Sequence, residues 1–312
     1  RARRAAERRA DRYDRFAARV RLGLSAAGAA QAVLGSGLLR GLSSVARAAS
    51  GGRLPLWNGW TPRPAPLAGF RDLVRGEGRQ VVYFPSCIVR MMGPARADPE
   101  SRAVFEAALS VLGKAGYDVL FPPELPSLCC GLTFDSKGFP EPADRKAREL
   151  ERALLEKSRG GSIPVLCDTS PCVQRMRKAL DPRLAVHEPV EFVHRFLMDR
   201  LRFRRQPGAG PVHPTCSAVK MGLADALRAV AEACAETVVV PPRVGCCGFA
   251  GDRGYTHPEL NASALSQLRA GVRACGEGFS TSRTCEIGLS LHGGIPYRSI
   301  LFLVDRCTSA PD

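Results

Sequence analysis

The stretch Val244-Gly-Cys-Cys-Gly-Phe-Ala-Gly-Asp-Arg-Gly254 sets the reading of this chain, because Cys246 and Cys247 stand side by side with Gly248 directly after them. Neighbouring side chains of an extended segment point to opposite faces, so a vicinal pair is not one ordinary ligand slot. The glycines let the backbone turn tightly and let a bulky object come close. The same word occurs once more, as Cys129-Cys130-Gly131 within Leu125-Pro-Ser-Leu-Cys-Cys-Gly-Leu132. Two copies of so rare a word argue against two unrelated buried thiol pairs.

Working outward, each word has the same surroundings. Val81-Val-Tyr-Phe84 reads as a strand that ends in Pro85-Ser-Cys87, and Gly210-Pro-Val-His213 is a weaker counterpart that ends in Pro214-Thr-Cys216. Helical stretches follow at Ala103–Ala115 and Leu223–Ala235, then strands at Asp118–Phe121 and Thr237–Val240, each running into a Pro-Pro pair and a Cys-Cys-Gly word. A third helix–strand pair closes each half. It is Arg145–Lys157 with Ile163–Leu166 in the first, ending at Cys172, and Leu260–Arg273 with Gly278–Thr281 in the second, ending at Cys285. This alternation predicts an α/β fold of two pseudo-repeated halves, each a small parallel sheet with flanking helices. Ligands of open α/β sheets sit beyond the carboxyl ends of the strands, which is where the repeated cysteines fall. The expected boundaries are a basic helical extension at 1–50, a Pro/Gly-rich linker at 51–77, a first half at 78–205 and a second at 206–312.

The candidate ligands are therefore Cys87, Cys129, Cys130 and Cys172 in the first half, and Cys216, Cys246, Cys247 and Cys285 in the second. Four thiolates from three loops make a soft anionic pocket suited to an iron–sulfur cluster, zinc or copper rather than to hard cations. Backbone N–H groups of the Gly-rich flanks can bond cluster sulfurs. Compact zinc sites favour C-x2-C knuckles, which these two sets lack, although a zinc-stabilised scaffold stays open. Cys167 is a candidate fifth ligand of the first set. Cys234, Cys275 and Cys307 read as core thiols. For His213, just ahead of Cys216, a local hydrogen-bonding role and a place beside the cluster are both open. Asp252, Arg253 and Glu286 flank the second set, where they either set its charge or act as solvated and capping groups.

Composition narrows the classes. The chain has 312 residues and 12 cysteines, too long to need disulfide staples and too cysteine-rich for packing alone, which argues for a reducing, cytoplasmic compartment. The net charge of +15 is concentrated in residues 1–80, which hold 16 Arg against 5 acidic residues. Stacking aromatics and basic stripes are lacking around the cysteines, which argues against nucleic acid. Residues 1–24 form an amphipathic pattern with Tyr13, Phe16, Val20 and Leu24 on one side, read as a solvated connector from an upstream domain, with anionic lipid or a partner as alternatives. Residues 22–39 carry no charge, but Gly, Ser and Gln31 dilute them as a membrane span. Peripheral association with the inner face of the membrane is the expectation that remains.

The duplicated Cys…Cys-Cys-Gly…Cys scheme resembles the duplicated cysteine-rich domain of heterodisulfide reductase and that of the glycolate oxidase iron–sulfur protein. Three stretches are more similar to the carboxyl-terminal part of bacterial FAD-linked D-2-hydroxy-acid dehydrogenases, which act on D-lactate or D-2-hydroxyglutarate. They are His213-Pro-Thr-Cys216, Gly245–Gly254 and Ser282-Arg-Thr-Cys-Glu-Ile-Gly-Leu-Ser290. The resemblance implies an iron–sulfur (4Fe-4S) electron-transfer module of an oxidoreductase. Its partners would be the flavin and ferredoxin-like domains of the same enzyme, FAD not being bound by this chain, and its acceptor a quinone, a cytochrome or another carrier. It also implies, as the alternative, a heterodisulfide-reductase-like thiol, disulfide or quinone reductase. This sequence departs from the heterodisulfide reductase pattern at Thr169 and Ser282, where that family ends each half with C-x2-C.

Overall fold

The computed structural model describes residues 2–76 and 78–311. Helix α1 (Ala2–Asp11) leads into α2 (Tyr13–Ala49), which is interrupted at Gly35 with φ 74°. The amphipathic face expected over 1–24 forms, but it is no solvated connector. Ala6, Ala10 and Tyr13, flanked by Phe16 and Val20, pack on Cys87, Met91, Cys129 and Phe134. The later turns of α2 leave Val33, Leu38, Leu42 and Val45 exposed. By length and composition alone α2 could cross a membrane, and none of its most apolar window is buried.

After the Pro-rich segment with β1 (Pro62–Pro64) the first half begins. Strand β2 (Arg79–Phe84) runs into α3 (Cys87–Met91), and β3 (Met92–Ala95) turns back to pair antiparallel with β1. Then come α4 (Val104–Lys114), β4 (Tyr117–Leu120), α5 (Leu132–Asp135), α6 (Pro140–Lys157), β5 (Val165–Cys167), α7 (Ser170–Ala179), β6 (Val186–His187) and α8 (Pro189–Phe192). The four strands β4-β2-β5-β6 form one parallel sheet. Val81, Val82, Tyr83 and Phe84 are all inaccessible, the signature of a parallel strand covered on both faces.

The second half repeats the plan. It contains β7 (Arg202–Phe203), β8 (Gln206–Pro211), α9 (Cys216–Lys220), α10 (Ala224–Cys234), β9 (Ala235–Val239), α11 (Arg253–Thr256), α12 (Pro258–Ala264), α13 (Leu268–Val272), β10 (Gly278–Ser280), α14 (Arg283–Gly293), β11 (Tyr297–Ser299), α15 (Ile300–Cys307) and β12 (Thr308–Ser309). Strands β8 and β9 pair in parallel, as do β10 and β11, and a parallel bridge from Val212 to Phe279 joins the two ribbons. The resulting order, β9-β8-β10-β11, is that of the first sheet, so the expected repeat is a structural one. The helix expected over 260–273 is two helices separated by a turn at 265–267, which contains Ser266, a poor helix-interior residue.

The halves share a core. One hydrophobic cluster contains Val82, Leu112 and Leu166 together with Leu227, Phe279, Ile300 and Val304. Helix α15 lies along α4, where Asp305 takes Arg102 at 2.7 Å, Ser110 at 2.6 Å and Lys114 at 2.7 Å. Cys234 and Cys307, expected as separate core thiols, are paired as a disulfide with Cα atoms 5.4 Å apart. Their helices α10 and α15 pack together, a contact that 73 residues of separation hide from the sequence.

Candidate cysteine sites

In the first half the sulfurs come from three strand ends. Cys87 is the first residue of α3, shortly past β2. Cys129 and Cys130 follow the tight turn Leu125–Ser127 beyond β4. Cys167 ends β5, and Cys172 is the third residue of α7. Cys87 Sγ lies 3.8 Å from Cys129 Sγ, and neighbouring thiols continue from Cys129 to Cys130, Cys172 and Cys167. All five are buried. The expected four therefore converge, with Cys167 beside them.

The second set is built alike. Cys216 opens α9, Cys285 is the third residue of α14, and Cys246 and Cys247 follow β9. Cys247 Sγ sits 3.0 Å from Cys285 Sγ, and Cys246 neighbours both Cys247 and Cys216. Here Cys216 and Cys246 are exposed while Cys247 and Cys285 are buried, so this set opens to solvent where the first is closed.

The glycines of the two words do the same work. Gly131 has φ 85° and Gly248 φ 67°, the left-handed region that other residues enter at a cost. A Cβ on Gly131 would lie 2.3 Å from the Ala143 carbonyl oxygen, and one on Gly248 2.6 Å from that of Leu260. This tight turn directs backbone donors at sulfur. Gly131 N–H points to Cys129, Gly248 N–H to Cys246 and Phe249 N–H to Cys247, each at 3.4 Å.

Electrostatics keep Cys87, Cys129, Cys246 and Cys247 neutral as they stand. The hydrogen bond that Cys129 donates to Cys130, with burial, moves Cys129 up to about 12 despite its bond to Cys87. Cys87 is raised by its bond to Cys129 and by burial, and Cys246 by its bond to Cys247 and by burial. In Cys247 the bond to Cys246 lowers the pKa, but that to Cys285 and burial outweigh it. Crowded thiols without a cation resist ionisation, so thiolate ligation here calls for a positively charged centre.

Several residues that sequence reasoning passed over hold the sites. Arg90 donates to the carbonyls of Pro85 at 3.0 Å, of Leu128 at 2.6 Å and of Leu125, tying α3 to the loop before Cys129. Buried Asn261 donates to the Cys247 carbonyl. Tyr13 lies against Cys87 and Cys129, its buried hydroxyl turned to their sulfurs. Position and composition carried no signal for Arg90 or Asn261; for Tyr13 the helical stripe did, without saying what it covers.

Of the flanking candidates, Asp252 is exposed and pairs with Lys137 at 2.7 Å. Glu286 is buried, which moves it up to about 7 against the pull of Arg283. His213 is buried with both ring nitrogens unpartnered, so the local role expected of it falls to its backbone, bonded to Phe279 and Ser280. Between the halves, Ser170 Oγ reaches Glu188 at 2.7 Å and Thr281 Oγ1 at 2.5 Å, and Thr215 Oγ1 lies 3.3 Å from Thr281 Oγ1. This buried hydroxyl chain joins the helix that carries Cys172 to the turn that carries Cys216.

The family model of a cysteine-rich domain, CCG, matches residues 81–177 and 211–274, more than half of the chain. The chain belongs to the CCG cysteine-rich-domain family. Each half carries one matched segment, and seven of the eight repeated cysteines lie inside them; Cys285 lies beyond and reaches its set through the fold. No curated protein matches the chain. An aspartate racemase homologue from Pyrococcus horikoshii OT3 aligns over 73% of this chain and 96% of its own at 10% identity, with a TM-score of 0.25 that carries no argument.

As a CCG protein the chain is a cysteine-rich, redox-type module compatible with iron–sulfur binding. The donor chemistry fits: soft sulfur ligands, backbone N–H groups at the sulfurs, and burial. Among the described residues no group of three or more His, Cys, Asp or Glu is arranged for a metal ion.

Proposed function

We propose that this chain is the iron–sulfur electron-transfer module of an FAD-dependent D-2-hydroxy-acid dehydrogenase. The observation that carries the reading is the duplicated convergence of thiols at the carboxyl ends of strands, each set with N–H groups directed at sulfur. Cys87, Cys129, Cys130 and Cys172, with Cys167 alongside, would hold one cluster, and Cys216, Cys246, Cys247 and Cys285 the other. A bound cluster supplies one-electron transfer. The chain's own contribution is to hold the sulfurs, to exclude water from the first set, and to place donors that tune the potential. Electrons would enter from a flavin domain, by way of ferredoxin-like clusters, and leave to a quinone, cytochrome or other carrier. The exposed apolar turns of α2 favour the membrane periphery.

The test is anaerobic reconstitution with iron and sulfide, followed by iron and acid-labile sulfide analysis. Cys246→Ser is expected to lose the iron of the second set while staying soluble; unchanged iron would overturn its place as a ligand. One observation favours a second reading, a thiol or disulfide reductase of the heterodisulfide type: Cys216 and Cys246 face solvent, where a disulfide substrate could reach them. Reduction of an organic disulfide by the loaded chain alone would select that reading. Stoichiometric zinc in a colourless protein would instead select a zinc-stabilised scaffold.

A further inference from the structure

Helix α2 carries a side that the rest of the chain leaves uncovered. Leu22, Val33, Leu38, Leu42 and Val45 are each more than half exposed. Leu38, Leu42 and Val45 follow one another at helical spacing, which puts them on one side of the helix. Scattered exposed leucines are ordinary, but a contiguous apolar run on a charged chain marks a contact surface. The charges bordering it have one sign. Residues 15–71 hold eight Arg and no Asp or Glu. Exposed Arg15 and Arg19 precede the uncharged stretch 22–39, and exposed Arg40 follows it.

A recess of about 600 Å³ adjoins the helix, between α2 and the paired β1 and β3. Gly28, Ala29 and Ala32 line it from α2, and Arg63, Pro64 and Arg96 from the ribbon and its end. Among the described residues, Arg40, Arg63 and Arg96 make no ion pair and no side-chain hydrogen bond. Two unspent guanidiniums beside small apolar residues suit a phosphate joined to an apolar body. The path of α2 decides how it meets that body. Arg21, near its start, donates to the Arg90 carbonyl at 2.8 Å, and Arg47, near its end, to that of Thr256 at 2.5 Å. A spanning α2 would put Arg90 and Thr256, whose halves share one core, on opposite sides of a bilayer. The helix therefore meets a membrane side-on. Other occupants fit less well. A second copy would bring the same unbalanced arginines against these, and a nucleic acid would set Leu38, Leu42 and Val45 against phosphates.

We infer that this side of α2 docks on an anionic phospholipid bilayer, with one lipid phosphate held in the recess by Arg63 and Arg96. Leu38, Leu42 and Val45 enter the acyl boundary, while Arg15, Arg19 and Arg40 keep their guanidiniums at head-group level. The docking rests on the membrane-peripheral placement proposed above, and not on whether the thiols hold a cluster. Apolar burial and charge act together here. Neutral lipid offers the leucines a place but gives the arginines no counter-charge, so the lipid class matters.

The test is co-sedimentation of the chain with vesicles of equimolar phosphatidylcholine and phosphatidylglycerol, and with vesicles of phosphatidylcholine alone. Saturable binding is expected, at least about tenfold tighter to the anionic vesicles and weakened by salt. Leu38→Gln combined with Leu42→Gln should weaken it at least about tenfold. Arg63→Gln and Arg96→Gln should each cost about fivefold, whereas Arg228→Gln, the same charge loss on α10, should leave binding unchanged. Circular dichroism and thermal melts identify any loss of fold, and the arginine variants serve where the leucine variant does not fold. Absence of binding to the anionic vesicles, equal binding to neutral ones, or full affinity in the folded variants overturns the assignment. An Arg228→Gln loss equal to that of Arg63→Gln does so too, because net charge alone would then be acting. Self-association that the leucine variant abolishes, without vesicle binding, would give the face to a second copy instead. Iron uptake on reconstitution is measured separately. Vesicle binding without iron defeats the electron-transfer reading and leaves the docking face standing, and iron without vesicle binding does the reverse.

Discussion

Gly131 shows how much one residue determines. It combines a positive φ with a backbone oxygen where a side chain would begin, so Gly131→Ala meets both a conformational cost of about 1–2 kcal/mol and an overlap that must be relieved by moving α6. Gly138 has φ 78° with nothing within 4 Å of its absent Cβ, which isolates the conformational part. In urea titrations Gly131→Ala is expected to lose at least about 3 kcal/mol, clearly more than Gly138→Ala. Equal losses would mean that the approach to Ala143 is not a constraint. His213 gives a second prediction at this scale. Burial depresses its pKa to about 4 from an ordinary 6.5, so the folded state binds fewer protons than the unfolded one between those values. Stability is therefore complete above about pH 6.5 and falls as the solution is acidified toward pH 4, by about 3 kcal/mol from this residue. His213→Phe should flatten that part of the stability–pH curve, as read by urea midpoints at several pH values. The eight cysteines were legible because their spacing repeats and their chemistry is distinctive. Arg90 and Asn261 were not, because each acts through a contact elsewhere in the chain with a carbonyl that no local pattern names.

Elements were read better than their partners. The strands of the first sheet were legible from runs such as Val81–Phe84, which are apolar at every position because both faces are covered. Strand β8 was weak in sequence, since Gln206-Pro-Gly-Ala-Gly-Pro211 has little apolar content and gains its place by pairing with β9 along most of its length. The stripe on the N-terminal helix was visible, yet periodicity cannot tell a helix that covers a buried site from one that covers a lipid or a missing domain. Arg90 provides the test at this scale, because it fastens α3 to the segment that carries Cys129 through three carbonyls. Arg90→Met would leave those buried acceptors unpaired and is expected to cost about 3 kcal/mol. Arg90→Lys should recover only a part, since an ammonium cannot reproduce the fork geometry. After reconstitution Arg90→Met should also take up less iron in the first set than in the second. Full stability in Arg90→Met would show that packing, and not this fork, joins the two segments.

At the scale of the molecule, duplication explains why each half has the same sheet order, while the shared core explains why the halves do not behave as separate bodies. Buried ion pairs reinforce that union. Arg298, on β11 of the second half, donates from Nε at 2.7 Å and from a terminal nitrogen at 2.5 Å to Asp98 in the first half, and a further N–H goes to Glu277. Arg283 similarly reaches the Gly93 carbonyl at 2.6 Å. Both members of the Arg298–Asp98 pair are 5% exposed, so Asp98 without Arg298 becomes an uncompensated buried charge. Arg298→Met is therefore expected to destabilise the whole chain by about 3–5 kcal/mol. Asp98→Asn keeps an oxygen for the Glu100 N–H, bonded at 3.0 Å, but leaves Arg298 with Glu277 alone. Combining the two substitutions removes both charges of the pair, and the double variant should be more stable than the sum of the single losses by about 2 kcal/mol. If the halves unfolded independently, a substitution at this seam would split the urea transition into two steps and leave the remote half at its original midpoint. The core that runs from Val82 to Val304 argues instead for one shifted transition, followed equally by probes placed in either half.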